Sequence, residues 1–229
     1  MASTTYVITI DGPAGVGKTT LARRLAETLD ISYLDTGAMF RTLALKLGLA
    51  AESMTEEAMA KACAEYHFHL KGHGERTQLF VNERLVGSEI RTEEVGMLAS
   101  RLARLAPLRK ALAEMQRKLA ETQPLVVEGR DMGTVIFPHA RFKFFLDASP
   151  EIRALRRMRD AENHDQPTDL ARLTEQIRQR DVQDRTRAIA PLKAADDAIC
   201  IDTSDLDISQ VLGLMLRHID ASGGTARCR

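Results

Sequence analysis

The sequence has no tryptophan and only three cysteines, Cys63, Cys200 and Cys228. They form no C-x-x-C pair and have no histidine at metal-ligand spacing, so the simplest expectation is a reduced protein of the cytoplasm. Net charge is missing as well, because 32 basic residues balance 32 acidic ones. Without a net field to recruit nucleic acid or an anionic membrane surface, neither is expected as a partner. No apolar run approaches the ~18 residues of a membrane span. Met1 to Thr5 is short and polar, with no charged segment leading into an apolar one, which argues against a secretory leader. Internal repeats and low-complexity tracts are absent too.

A chain of 229 residues suffices for one well-buried α/β domain with a small insert and falls short of two. A single domain over residues 1–229, monomeric by default, is therefore expected. Of the 32 basic residues, eight are lysine and 24 arginine. The planar guanidinium suits bidentate recognition of phosphate, so the skew lends weak support to an anionic ligand.

The chain is organised around Gly12-Pro13-Ala14-Gly15-Val16-Gly17-Lys18-Thr19, with Thr20 behind it. The β-branched run Val7-Ile8-Thr9-Ile10 precedes this stretch, and Leu21, Leu25 and Leu29 follow at helical spacing. Strand, glycine turn and helix are the context in which G-x-x-x-x-G-K-[ST] binds phosphate. Glycines let backbone N–H groups wrap the anion, and the helix N-terminus adds partial positive charge. Lys18 would reach the outer phosphates and the Thr19 hydroxyl would ligate Mg2+.

Further along, Ile31 to Leu34 reads as a short strand closed by Asp35-Thr36-Gly37, with Arg41 early in the next helix. Residues 63–93 change texture to period-two alternation around Gly72 to Gly74 and Asn82-Glu83, which predicts small antiparallel strands in an insert. His67, His69 and His73 lack a further ligand at metal spacing and read as residues of one strand face. Residues 95–122 predict two helices broken at Pro107 and carrying Ser100 and Arg109. Leu125-Val126-Val127-Glu128 predicts a buried parallel strand ending in a carboxylate, the place for a second, magnesium-supporting acid acting directly or through water. Gly129 and Gly133 then bracket Arg130 and Asp131 on a tight turn.

Arg153, Arg156, Arg157 and Arg159 cluster on one predicted helix, and Ala161 to Pro167 is polar; together residues 153–168 fit a mobile cover over polyphosphate. In the helix predicted from Thr168 to Arg187, Leu170, Leu173 and Ile177 form a core-facing stripe. The same spacing continues onto Arg180, Asp184 and Arg187, which places charge toward a polar cleft. Elements alternate throughout, so the fold expected is α/β: a phosphate-loop fold of three layers, a parallel sheet between helices. A GTP switch would need an Asn-Lys-x-Asp motif, and none is present. The scattered arginines favour a small-molecule kinase with two facing phosphate sites over an ATP-binding regulator that only switches shape.

Five blocks carry a closer resemblance: Thr9-Ile10-Asp11-Gly12-Pro13, Leu34-Asp35-Thr36-Gly37-Ala38-Met39-Phe40-Arg41, Gly87-Ser88-Glu89-Ile90-Arg91-Thr92, residues 128–138 and residues 180–188. In this order they resemble the bacterial cytidylate kinase family. The resemblance implies phosphoryl transfer from ATP to CMP or dCMP with Mg2+, a UMP-preferring kinase being the nearest rival. It makes 63–93 the nucleoside-monophosphate-binding insert and 153–168 the lid. Cytosine contacts fall on Ser100, Arg109 and Asp131, acceptor-phosphate contacts on Arg41 and Arg130 with Arg187 nearby, and sugar contacts on Thr36, Arg180 and Asp184. Lys18, Arg130, Arg156 and Arg157 would neutralise and position the transferring group. Two positions depart from the family pattern: Phe40 replaces a common tyrosine and His139 a common aspartate.

Overall fold

The apolar runs at residues 7–11 and 125–129 become adjacent parallel strands at the centre of a five-stranded sheet. The computed structural model describes residues 5–162 and 169–221. Strand β1 (Val7–Asp11) is flanked by β6 (Leu125–Gly129) and β7 (Phe142–Asp147), and β2 (Ser32–Asp35) and β8 (Ile199–Asp202) form the edges, in the order β2-β6-β1-β7-β8. All four pairings are parallel, so both faces must be covered and the central strands are apolar on each. Ile8, Ile10, Phe144 and Leu146 face one core with Leu21, Leu25, Met215 and Ile219. Those partners come from α1 (Lys18–Leu29) and α8 (Ile208–Ala221). Leu125 and Val127 face the second core with Met39 and Leu43 of α2 (Thr36–Leu47), and it also holds Met59 and Cys63 of α3 (Glu56–Ala64). Leu102 of α4 (Glu93–Leu102) and Leu108 and Leu112 of α5 (Ala106–Thr122) complete it. The result is the three-layer α/β fold expected from the alternation of elements.

The insert is a separate antiparallel sheet, β3 (Phe68–Lys71), β4 (Gln78–Val81) and β5 (Arg84–Leu85), in that order. Asn82 and Glu83 turn the β4-β5 hairpin, both at positive φ, 46° and 60°. The sheet is tied to the main body by Gly74 N donating to Ile31 O at 2.8 Å and by Ser32 Oγ donating to Gly72 O at 3.0 Å. Cys63 belongs to α3, so the strands start at Phe68 and not at the first residue of the expected insert. Among the histidines, His69 stacks on Phe80 at 5.0 Å, and His73 lies 3.7 Å from Asp30. No group of three or more His, Cys, Asp or Glu among the described residues could hold a metal.

The break expected at Pro107 separates two helices, α4 and α5. Helix α5 starts at Ala106 with Pro107 in its first turn, where the missing N–H costs nothing. Helices α6 (Pro150–Glu162) and α7 (Leu170–Thr186) pack on each other beyond the sheet, Asp169 capping α7. The lid tip expected at residues 163–168 lies outside the described residues. No helix among the described residues is long and apolar enough to cross a membrane.

Candidate active site

Asp11 ends β1, and the chain turns at Gly12 into a loop that closes on the first turn of α1. Gly12 has φ 149°, and a Cβ there would stand 2.1 Å from Leu146 O, so no other residue fits. Gly17 caps α1 at φ 88°. The loop is folded on its own lysine: Lys18 Nζ donates to Pro13 O at 2.6 Å, with Lys18 only 6% exposed. Burial first, and the Arg130 charge second, push the Lys18 ammonium down to about 7, while Glu128 and Asp11 draw it back up. A buried cation so held gains on meeting an anion.

Glu128 closes β6 beside this lysine. Its carboxyl is raised by burial and by Asp35, and it is hydrogen-bonded by the Tyr33 hydroxyl at 2.7 Å. The Thr19 hydroxyl also reaches Glu128. Two hard oxygen donors therefore meet at the helix side of the phosphate loop, a set that suits Mg2+ completed by phosphate and water oxygens.

Nine residues from five separate segments line one cleft at the carboxyl edge of the sheet: Thr36, Arg41, Ser100, Arg109, Arg130, Asp131, Arg180, Asp184 and Arg187. These are the nine substrate-contact positions expected from the sequence. Part of their charge is paired within the cleft. Asp131, 3% exposed, accepts from Arg109 and, at 3.1 Å, from Arg187. Arg130 Nε donates to Asp184 at 3.0 Å, and Thr36 Oγ1 donates to Glu128 O at 2.7 Å. Arg41 donates to the Ile90 carbonyl at 3.2 Å. Burial, and Arg130 after it, push Arg180 down to about 10, and its Nε has no hydrogen-bond partner among the described residues. Five guanidinium groups thus converge against two carboxylates, Asp131 and Asp184, an arrangement that suits a multiply charged anion.

The lid arginines divide. Arg157 lies near enough to the cleft to lower both Arg41 and Arg180. Arg156 is turned to Thr203, donating to its hydroxyl at 3.0 Å and to its carbonyl. Arg153, at the start of the expected lid segment, does not reach the cleft: it is 1% exposed and paired with Asp181. On a helix surface a charged stripe cannot be told from a buried strut by spacing alone. Phe40 lines the cleft, its ring 5.6 Å from the Arg109 guanidinium, and His139 is exposed. Gly96, Ala99 and Ala103 line the cleft as well and were not expected. Small residues at steps of three and four, Gly96 and Ala99 in α4 and Ala103 at its C-terminal cap, were the available signal.

The chain as a whole is similar to known proteins. The cytidylate kinase family model matches residues 8–221. A cytidylate kinase of Nitratidesulfovibrio vulgaris is 56% identical over 218 residues, 95% of this chain and 94% of that one. The cytidylate kinase of Oleidesulfovibrio alaskensis is 54% identical, with 93% and 97% covered, and that of Aeromonas salmonicida 42% identical, with 96% of each. A shikimate kinase structure from Bacteroides thetaiotaomicron shares the fold alone, with 16% identity, a TM-score of 0.50 and 95% and 98% of the two chains covered. With the family model matched over residues 8–221 and relatives 42–56% identical over more than nine-tenths of the chain, the chain belongs to the cytidylate kinase family.

Proposed function

We infer that the chain transfers the terminal phosphoryl group of ATP to CMP and dCMP, giving CDP and dCDP, in the cytoplasm. The observation that carries this reading is the cleft itself: a buried carboxylate, Asp131, stands beside Arg41, Arg130, Arg180 and Arg187 at the same sheet edge as the phosphate loop. A carboxylate accepts from the cytosine amino group and repels the oxygen that uracil offers in its place.

Residues 12–20 would hold the ATP phosphates, with Lys18 exchanging the Pro13 carbonyl for a phosphate oxygen. Thr19 and Glu128 would hold Mg2+, Glu128 directly or through water, and the ion would supply neutralisation of phosphate charge. Arg41 and Arg130, with Arg187 nearby, would take the acceptor phosphate, Thr36, Arg180 and Asp184 the sugar, and Ser100, Arg109 and Asp131 the base. Phosphoryl transfer asks for positioning and charge stabilisation more than for a nucleophile, so no general base is required. Arg156 and Arg157 would close from the 153–168 lid and exclude water, and the 63–93 insert would close from the other side. A coupled assay of ADP release with CMP, dCMP, UMP, AMP and GMP tests this. Turnover of UMP above CMP, or none with any acceptor, would overturn it.

A further inference from the structure

Asp11 connects the phosphate loop to the turn that displays Arg130 and Asp131. It is 4% exposed, ends β1 and directly precedes Gly12. Its Oδ1 accepts from the Met132 N–H at 2.9 Å and its Oδ2 from the Gly133 N–H at 2.8 Å. Each carboxylate oxygen takes one donor, so the pair fixes both the distance and the tilt of the turn. These amides open the π-helical turn Met132–Ile136, whose first residue follows Asp131 directly. The turn is packed closely as well: a Cβ on Gly133 would lie 3.0 Å from Thr9 Oγ1 and 3.3 Å from Lys143 Cδ.

Holding this carboxylate has a cost, since burial pushes it up to about 6 even though both amides pull it down. A neutral side chain of similar shape would escape that cost yet could not serve two N–H donors: asparagine has one acceptor and turns an NH2 group toward the second. The two substrates of the reading above sit on different strands, the donor loop after β1 and the acceptor turn after β6. In-line transfer requires their separation to be held within a fraction of an ångström, and a misplacement of about 1 Å costs about 100-fold.

We propose that Asp11 is a positioning residue that sets the acceptor-reading turn, Arg130 and Asp131, against the phosphate loop. This rests on the cytidylate kinase reading. Asp11 touches neither the base nor the phosphates; it acts through the Met132 and Gly133 amides. The competing role is a counter-charge for Lys18, and it would show on the donor side.

The test is steady-state kinetics of full-length Asp11→Asn with each substrate varied at saturation of the other. The expected result is a fall of about 10- to 100-fold in kcat together with a rise of about 10-fold in KM for CMP, KM for ATP staying within about 2-fold of wild type, and a fall of about 5-fold in the ratio of kcat/KM for CMP over UMP. Equal rises in both KM values, or a fall in kcat alone, overturn the proposal, because loss of folded enzyme or of Lys18 charge does not select the acceptor. Asp11→Ser, which keeps one acceptor, carries the test if Asp11→Asn does not fold by circular dichroism. Failure of both to fold marks a structural anchor and overturns the positioning role. No turnover of CMP by the wild type removes the functional reading and the proposal together; normal wild-type turnover with an unshifted KM for CMP removes the proposal alone.

Discussion

Arg153 and Asp181 form a buried bidentate ion pair that joins α6 to α7 and braces the phosphate loop. Arg153 Nη1 donates to Asp181 Oδ1 at 2.9 Å and to Ala14 O at 3.2 Å, and Nε donates to Ala148 O at 2.9 Å. Nearly every donor of this arginine is used, and its Cβ lies 3.3 Å from where a Gly15 Cβ would be. Asp181→Ala removes the partner and leaves the guanidinium buried and uncompensated. Stability should fall by about 3–5 kcal/mol in urea denaturation. An unchanged midpoint would mean that the pair holds nothing.

Lys18→Ala should retain the fold and lose most turnover, at least about 100-fold in kcat, since one charge that stabilises the transferring group disappears. Its stability should change little, because the buried ammonium, held near 7 by burial, returns only one hydrogen bond to Pro13. Near-normal activity in the folded variant would sink the mechanism.

Asp131→Asn should erode the preference for CMP over UMP by about 10-fold or more, because an amide can also donate to the uracil oxygen. The change also strips Arg109 and Arg187 of their shared charge partner, so KM for CMP rises in parallel. Equal ratios of kcat/KM before and after would show that Asp131 does not read the base.

Tyr33→Phe removes the hydroxyl that orients Glu128 and leaves the ring in place. If Glu128 supports Mg2+, the Mg2+ concentration for half-maximal turnover at fixed ATP should rise about 3-fold or more. A Mg2+ dependence identical to wild type would separate Glu128 from the ion.

How much of this was legible in the sequence follows from how far each signal reaches along the chain. The phosphate loop is local, strand to helix in about twenty residues, and the charged continuation of the α7 stripe needs only the helical period; Leu173, Ile177, Arg180, Asp184 and Arg187 do share an inward face, whereas Leu170, expected on the same stripe, is exposed at the start of α7. The Arg130-Asp131 turn showed itself as charge between glycines. The Asp11 bonds join residues 121 and 122 positions apart, and nothing local marks them. Arg153 failed for the opposite reason: its neighbours Arg156, Arg157 and Arg159 look the same in sequence, and only the approach of Asp181 from another helix separates the strut from the lid.

The pH dependence of stability carries the sign of the Asp11 shift. Its carboxyl is raised from 3.8 to about 6 in the fold. Between those values the native state binds a proton that the unfolded chain has lost, so this group's contribution to stability falls as pH rises. At 1.36 kcal/mol per pKa unit the whole fall is about 3 kcal/mol, centred between pH 3.8 and 6, of which about 1.3 kcal/mol lies between pH 5 and 7. Asp11→Asn cannot titrate, so the difference in stability between wild type and variant should shrink by about that amount from pH 5 to pH 7. Glu128 is also raised, yet it is present in both proteins and cancels in the difference. Paired urea melts at the two pH values measure it directly. A gap that widens with pH would mean that the Met132 and Gly133 amides hold Asp11 below its unfolded pKa, and that burial is the weaker force.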